Sequence, residues 1–302
     1  MTNTNFIYII MTLLAASLLG LIATIVDYLY QAGFAIQDIT NVQYGFAVVL
    51  LWLVVLPVIR RQRLPKGRDW WFLVGTGITA GITNYFYFTS LTMLPVSLSI
   101  ILLFQFTWMV TLIDMTVKKK MPSAQKWIGM IVILVGTFFA VGLLGAEVTV
   151  LSPLAILFGL LAAFCFALSL YLPEFMSNDS TPLLRTAIMM TISAISLFPV
   201  FPPTYLTSGV LWNGLFGWGL LMGLIGQVIP FLFLLISIPR IGGRMAGVLG
   251  SIELPVTVFA AFLILNESVT WIRWLGVFLI IIGICISELR LSKRPKYSIS
   301  KI

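Results

Sequence analysis

The sequence predicts an all-α polytopic membrane protein with ten transmembrane helices, arranged as two inverted five-helix repeats. Three observations lead to this fold class. The 302 residues are 60% hydrophobic and only 9% charged, so they carry more apolar surface than one soluble core can bury. Apolar stretches of roughly 20 residues, the length that a helix needs to cross the hydrocarbon, follow one another along the chain. A segment of the fifth predicted helix recurs in the tenth.

Charged or proline-containing breaks separate the apolar stretches and define the predicted helices. They cover residues 6–26, 42–59, 70–93, 95–117, 126–144, 153–172, 184–201, 212–238, 240–265 and 271–289. No Lys or Arg precedes the first stretch, which leads straight into further spans, so we interpret it as a retained helix and not as a signal peptide. Asp69 and the two tryptophans after it predict an N-cap and an interfacial anchor for the third helix.

The basic residues lie in alternate connectors and set the predicted orientation. With a cytoplasmic N-terminus, 17 of the 18 Lys and Arg residues fall on the cytoplasmic side and only Arg273 falls outside. They cluster in residues 60–68, in residues 118–126 and in the tail after Leu289. We therefore expect a multi-pass protein of the cell membrane with both termini cytoplasmic, whose basic loops and tail contact anionic lipid. The net charge of +8 is explained in this way and does not predict nucleic acid as a partner.

A duplicated segment divides the chain into halves. The stretch KWIGMIVILVG at 126–136 recurs 147 residues later as RWLGVFLIIIG at 273–283, with a basic residue, a tryptophan and both glycines in the same places. Residues 1–150 and 151–302 are therefore predicted to be repeats of five helices each. Because five is odd, the second copy enters the membrane inverted. Inverted repeats recur in solute carriers whose halves rock about a midplane site.

Two absences from the sequence argue against other classes of membrane protein. There is no G-x-x-x-x-G-K-[ST] loop of an ATP-driven machine. There is no histidine, which removes the H-E-x-x-H motif of zinc proteases and the usual base of serine proteases. Cys165 and Cys285 both lie in predicted spans and form neither a disulfide framework nor a metal set. We therefore expect neither an enzyme nor a cofactor, and a non-transporting sensor or scaffold is the alternative from another class.

The ten spans, the repeat and the stretch ELPVTVFAAFLILNESVTWIRWLGVFLIIIG at 253–283 resemble the EamA-type families of the drug/metabolite transporter superfamily. The family pattern ends the ninth helix with an apolar run and a Glu, matched by Asn266 and Glu267, and resumes with an apolar residue and a Gly, matched by Trp274 and Gly276. The resemblance implies export or import of small organic solutes such as amino acids and related metabolites, and we expect export by alternating access. Import or exchange of a sugar, a nucleoside or a quaternary amine is the alternative.

The chain departs from the family pattern at two places. Leu254 separates Glu253 from Pro255, where family members often have Glu or Gln directly before the proline. Lys119 and Lys120 stand in the first half where a second glutamate would be expected. The polar site is therefore expected to be organised differently from that of the commoner members.

Glu253 is the first candidate for this site. It lies eight residues into the ninth helix, at a depth of roughly 12 Å, which is close to the middle of a hydrocarbon core of roughly 30 Å. An acidic residue there costs about 2.5–3.5 kcal/mol to insert, so it should face a water-filled cavity or a partner. Pro255 removes an amide that would bond the carbonyl of Ser251, which predicts a broken helix beside the pathway. We expect Glu253 to bind a proton, a cation or a substrate ammonium group, or else to hydrogen-bond a neighbouring helix.

Other polar residues of the spans complete the candidate set. Gln105 lies near the midplane of the fourth helix, with Trp108 one turn further on the same face, where it can stack on a ligand or contact lipid. Asn84 and Tyr87 share a face of the third helix, and Gln227 precedes a proline in the eighth. We predict that Gln105, Gln227 and Glu253 surround one cavity. The candidate substrate-binding residues are Glu253, Gln105, Trp108, Gln227, Asn84, Tyr87, Tyr171 and Ser251.

The remaining acidic residues near span ends are interpreted as structural. Glu267 lies at the predicted outer surface close to Arg273. Asp27 and Asp114 lie near helix ends, where capping or snorkelling explains them.

Overall fold

The computed structural model describes residues 3–94, 96–141, 152–177, 180–266 and 268–288. Over these ranges the chain is helical and forms no strand, which confirms the predicted all-α class. The α-helices are α1 (Asn3–Gln31), α2 (Ile36–Val55), α3 (Arg68–Leu91), α4 (Val96–Phe104), α5 (Phe106–Lys118), α6 (Ala124–Ala140), α7 (Pro153–Tyr171), α8 (Pro182–Leu197), α9 (Phe216–Met222), α10 (Ile229–Ile241), α11 (Gly243–Gly250), α12 (Glu253–Ile264) and α13 (Trp271–Glu288). Short 3-10 turns occupy Leu56–Arg61, Leu172–Phe175 and Thr204–Leu206, and π-helical turns occupy Leu211–Leu215 and Gly223–Val228.

Several helical stretches have the length and composition of membrane spans. The six that are long and apolar enough to cross the hydrocarbon in the described part of the chain are Phe6–Gln31, Ile36–Arg60, Leu98–Lys118, Pro153–Phe175, Leu211–Ile241 and Gly243–Ile264. Shorter apolar helices cover Ala124–Ala140, Pro182–Leu197 and Trp271–Ser287. The predictions for Glu267 and for the basic tail concern residues outside the described ranges.

Two of the predicted spans are interrupted near their middle. One breaks at Gln105, between α4 and α5, and the other at Ser251 and Ile252, between α11 and α12. The repeat offset of 147 residues carries position 105 to 252, so the two breaks occupy equivalent places in the halves. Pro255 is the third residue of α12, where first-turn amides have no acceptor within the helix, so its missing hydrogen leaves no helical bond unmade. The predicted break of the ninth helix beside Glu253 is confirmed.

The helices that carry the duplicated segment, α6 and α13, pack on each other through their glycines. A Cβ added to Gly129 would lie 2.7 Å from the carbonyl oxygen of Gly283, and one added to Gly136 would lie 2.9 Å from that of Gly276. The repeat relates Gly129 to Gly276 and, by the same offset, Gly136 to Gly283. The contact of Gly129 with Gly283 is therefore the repeat equivalent of the contact of Gly136 with Gly276. The absence of side chains lets the two backbones approach closely.

The half-helix α11 also depends on small residues. A Cβ on Gly243 would lie 2.6 Å from the Cα of Tyr171, and one on Gly247 would lie 2.5 Å from a methyl group of Val110. These contacts press α11 against α7 and α5. The breaks at Gln105 and Ser251 thus leave α5 and α11 packed together as a pair of half-helices.

Candidate functional site

A cavity of about 220 Å³ lies between helices from both halves of the chain. Side chains of α1, α2, α3, α4, α5, α7, α10 and α12 line it, together with the π-helical turn at Gly223–Val228. The two breaks in the helices lie beside the cavity. Phe104 and Phe106, which flank Gln105 at the first break, line it. Glu253 and Leu254, which directly follow the second break, line it as well.

Glu253 is the one charged side chain among the described residues that line the cavity. It is the first residue of α12, and α1 approaches it closely because Gly20 has no side chain: a Cβ there would lie 2.4 Å from the Glu253 carbonyl oxygen. The hydroxyl of Thr257 donates to the carbonyl oxygens of Gly20 at 3.1 Å and of Glu253 at 2.9 Å. Within the described part of the chain, no group donates a hydrogen bond to the Glu253 carboxylate.

Residues of α2, α3 and the π-helical turn at Gly223–Val228 supply a polar part of the cavity lining. The amide of Asn84 donates to the hydroxyl of Tyr44 at 2.8 Å and to the carbonyl of Ala80 at 3.1 Å. Gln227 also contacts the Tyr44 hydroxyl, and only 6% of its surface is exposed. Its Oε1 atom is buried without a hydrogen-bond partner in the described structure. The extra residue of a π-helical turn re-aims the side chains around it, which is a common arrangement at functional sites.

The rest of the lining is largely apolar and aromatic. Phe104 and Phe106 have ring centroids 5.6 Å apart, and Phe106 meets Phe166 edge-on at 4.8 Å. Phe231 and Tyr87 also face the cavity. The arrangement combines one carboxylate, a few neutral polar groups and several aromatic rings around one cavity.

Four of the predicted site residues line this cavity, namely Glu253, Gln227, Asn84 and Tyr87. The structure does not place Gln105 in it with them. The Trp108 indole donates to the Gln105 Oε1 at 2.9 Å, and the Gln105 amide donates to the carbonyl of Ile101 at 2.9 Å. The two side chains are paired with each other, so their role in binding stays a prediction.

Ser251 and Tyr171 also lie outside the cavity lining. Ser251 is fully buried at the break before α12, and its hydroxyl lies 3.1 Å from that of Thr107, which ties the break to α5. The Tyr171 hydroxyl donates to Asp114 at 3.3 Å. Both residues contact structural partners in this conformation.

Asp114, Lys118, Glu174 and Arg244 form a group that we call the α5–α11 ionic cluster. Lys118 Nζ lies 2.6 Å from an oxygen of Asp114 and 2.5 Å from one of Glu174. The Arg244 Nε lies 3.8 Å from Asp114, and the backbone N–H of Gly243 donates to Glu174 at 2.7 Å. The cluster joins the end of α5, the start of α11 and the 3-10 turn after α7, so Asp114 does more than cap a helix end.

Sequence reasoning did not find Tyr44 or the phenylalanine lining. Phenylalanine is frequent in this chain, and hydrophobic periodicity cannot separate rings that face lipid from rings that face a cavity. Tyr44 had a detectable signal, because it closely follows Asn41 and Gln43 at the start of a predicted span whose later residues are apolar. All three are buried in the structure.

Comparisons with known proteins agree with this architecture. The profile of the EamA-like transporter family matches residues 6–142 and, a second time, residues 153–289. A Bacillus subtilis (strain 168) protein, described as the uncharacterized transporter YcbK, is 24% identical over 284 residues, which cover 89% of each chain. A solved crystal structure shares the fold, with a TM-score of 0.74 at 15% identity over 93% of this chain and 96% of the other.

Proposed function

Because the chain belongs to the EamA-like transporter family of multi-pass membrane proteins, we propose that it is a secondary transporter that exports a small organic solute by alternating access. An amino acid or a related metabolite is the proposed substrate. The cavity of about 220 Å³ around Glu253 carries the proposal. An engineered cavity of about 150 Å³ binds benzene, so this space suits a solute of about one ring and a short chain.

The position of the cavity also favours a carrier. It is lined by both halves and lies beside two broken helices, and carriers with inverted repeats place their substrate sites at such breaks near the bilayer midplane. The double match to the family profile, the equivalent breaks and the equivalent glycine contacts of α6 and α13 support two inverted halves, residues 1–150 and 151–302.

The α5–α11 ionic cluster is the proposed cytoplasmic gate. In the orientation favoured by the basic connectors, Lys118 and Arg244 lie at the cytoplasmic ends of α5 and α11. The cluster holds these half-helices against the 3-10 turn that carries Glu174, and each half-helix starts or ends at a break. Parting the cluster would let α5 and α11 separate at their cytoplasmic ends, which alternating access requires.

Flux into proteoliposomes tests the proposed function. Purified protein would be screened by thermal shift against amino acids, nucleosides, sugars and quaternary amines, and compounds that stabilise it would be used in counterflow. We expect saturable flux that protein-free liposomes lack. Efflux from preloaded cells that express the protein would test export. Stabilisation by a compound that is never transported would favour the sensor alternative.

A further inference from the structure

Several hydrogen-bond donors of the cavity already have acceptors within the protein, whereas two of its acceptor groups have no donor among the described residues. Both hydrogens of the Asn84 amide are used, one by Tyr44 and one by the Ala80 carbonyl. The hydroxyls of Thr83 and Thr257 donate to backbone carbonyl oxygens. In contrast, the Glu253 carboxylate and the Gln227 Oε1 accept nothing from the described residues. The acceptors that lack a donor among the described residues include the one carboxylate of the cavity, and a ligand that carries hydrogen-bond donors would satisfy them.

The charge of the lining points to the same ligand chemistry. No Lys or Arg is among the described residues that line the cavity, and Glu253 is the single ionisable carboxyl there. A ligand carboxylate would be buried beside a group of like charge, with only neutral donors such as the Tyr87 hydroxyl to receive it. A ligand ammonium group would meet an unpaired carboxylate, an amide oxygen and aromatic faces.

We infer that the cavity selects organic monocations, amines of about one ring and a short chain that carry no carboxylate, and rejects zwitterionic amino acids. This inference rests on the proposed function, since it takes the cavity as the transport site, and it narrows the proposed substrate from amino acids and related metabolites to the amines among those metabolites. Such an amine corresponds to an amino acid from which the carboxylate has been removed. A decarboxylation is therefore the class of reaction that would supply the substrate.

Three probes with the same ring and chain length distinguish the contributions of the ammonium group and the carboxylate group to binding. Phenethylamine carries only the ammonium group, L-phenylalanine carries ammonium and carboxylate, and 3-phenylpropionate carries only the carboxylate. Thermal-shift titration of the purified full chain should give phenethylamine a dissociation constant at least about tenfold lower than that of either other probe. Equal or tighter binding of phenylalanine or phenylpropionate would overturn the inference, and this comparison needs no variant.

Variants then locate the binding group. Glu253→Gln should abolish the phenethylamine shift, whereas Asp27→Asn, which removes an exposed carboxylate that pairs with Gln31, should preserve it. An unchanged shift in Glu253→Gln would overturn the inference. In proteoliposomes, phenylalanine flux that phenethylamine does not inhibit would also overturn it but would leave the proposed function intact. Binding of phenethylamine without flux of any probe would support the inference and contradict the proposed function.

Discussion

At the scale of single residues, the Glu253 carboxylate lines the cavity and accepts no hydrogen bond from the residues that the structure describes. A buried charge in this position is unfavourable unless a proton or a cation accompanies it. Thr257 and Gly20 fix the backbone of Glu253 through hydrogen bonding and close packing, but they leave the carboxylate itself unpaired. The structure therefore fixes where the group lies and leaves its charge to be balanced by what enters the cavity.

Glu253→Gln keeps the size of the side chain and removes its charge. We expect amine flux to fall by about tenfold or more, because a charge-assisted hydrogen bond is lost. In the wild type, flux should also decline as the pH falls, since protons compete with the amine for the carboxylate. The residual flux of the variant should not vary with pH. Initial rates in proteoliposomes between about pH 5 and pH 8, the usual range of protein stability, measure both effects.

The alternative is that Glu253 only bonds a neighbouring helix. In that case Gln would replace a protonated acid without effect on flux, and Leu would destabilise the protein by about 0.6–2 kcal/mol. Melting temperatures of the Gln and Leu variants, measured beside the flux, decide between the two roles. A Gln variant with wild-type pH dependence would leave Glu253 with a structural role only.

Gln227→Leu removes an acceptor that no described residue satisfies. Because the buried Oε1 is unsatisfied, we expect the melting temperature to stay the same or rise, while the affinity for phenethylamine falls by about three- to tenfold. Gln105→Leu is the matched comparison, since Gln105 is paired with Trp108 outside the cavity lining. Equal losses of affinity in both variants would extend the site to Gln105, as the sequence predicts.

The break of the ninth predicted helix could be read from the sequence, but helix rotation could not. Counting residues from the span ends predicts midplane positions for Gln105 and Glu253; Gln105 lies at one break, and Glu253 lies directly after the other. Which side chain then faces the cavity depends on the local geometry of the break. Around Gln105 the structure turns Phe104 and Phe106 inward, while Gln105 bonds Trp108.

At the scale of helices, close backbone contacts place the functional elements. Gly20 brings α1 onto α12 beside Glu253, and Gly243 brings α11 onto α7. Hydrophobic pattern predicted α1 and α7 as apolar stretches between polar breaks, and it predicted α11 and α12 together as the single stretch 240–265. Hydropathy alone does not single out the polar face of α3, because it averages Thr83 and Asn84 with their apolar neighbours, but the helical spacing of Asn84 and Tyr87 placed them on one face, and both line the cavity.

Gly276→Ala should destabilise the contact between α6 and α13. The new Cβ would lie 2.2 Å from the backbone nitrogen of Ala140, and backbone cannot move aside as a flexible side chain can. We expect a loss of about 1–3 kcal/mol and a lower melting temperature. Gly129→Ala, at the position that the repeat equates with 276, should have a similar effect. Gly217→Ala is the control, because its Cβ would meet nothing within 4 Å.

The comparison of these three variants also tests the packing itself. A wild-type melting temperature for both Gly276→Ala and Gly129→Ala would contradict the close approach of the two helices. A lower melting temperature in only one of the two variants would contradict the equivalence of the two glycine contacts.

At the scale of the whole molecule, orientation gives the two polar regions their proposed roles. The cavity lies between the halves, and the ionic cluster lies at the end of the bundle where α5 ends and α11 begins. If that end is cytoplasmic, the cluster closes the route from the cytoplasm to the cavity. The basic connectors predict this orientation.

Cysteine labelling tests the orientation. Ser123, between α5 and α6, and Thr207, after the 3-10 turn at Thr204–Leu206, are both exposed. In a variant lacking Cys165 and Cys285, an impermeant maleimide added to intact cells should label a cysteine at 207 and not one at 123. Permeabilised cells should show both labels. Labelling of both from outside would contradict the proposed inverted topology.

The proposed gate relates the ionic cluster to the cavity, because opening the cluster should expose the cavity to the cytoplasm. Glu174→Gln removes the charge that Lys118 contacts at 2.5 Å and weakens the acceptor of the Gly243 N–H. The cluster contacts stabilise only the closed state, in which α5 and α11 are together. Their loss should therefore increase the population of the open state, in which α5 and α11 are apart. A cysteine placed at Leu103, which lines the cavity, reports this from the cytoplasmic side of inside-out vesicles. We expect its maleimide labelling to be several-fold faster in the Glu174→Gln background than in the otherwise identical protein. An unchanged rate would mean that the cluster stabilises the fold without closing the pathway.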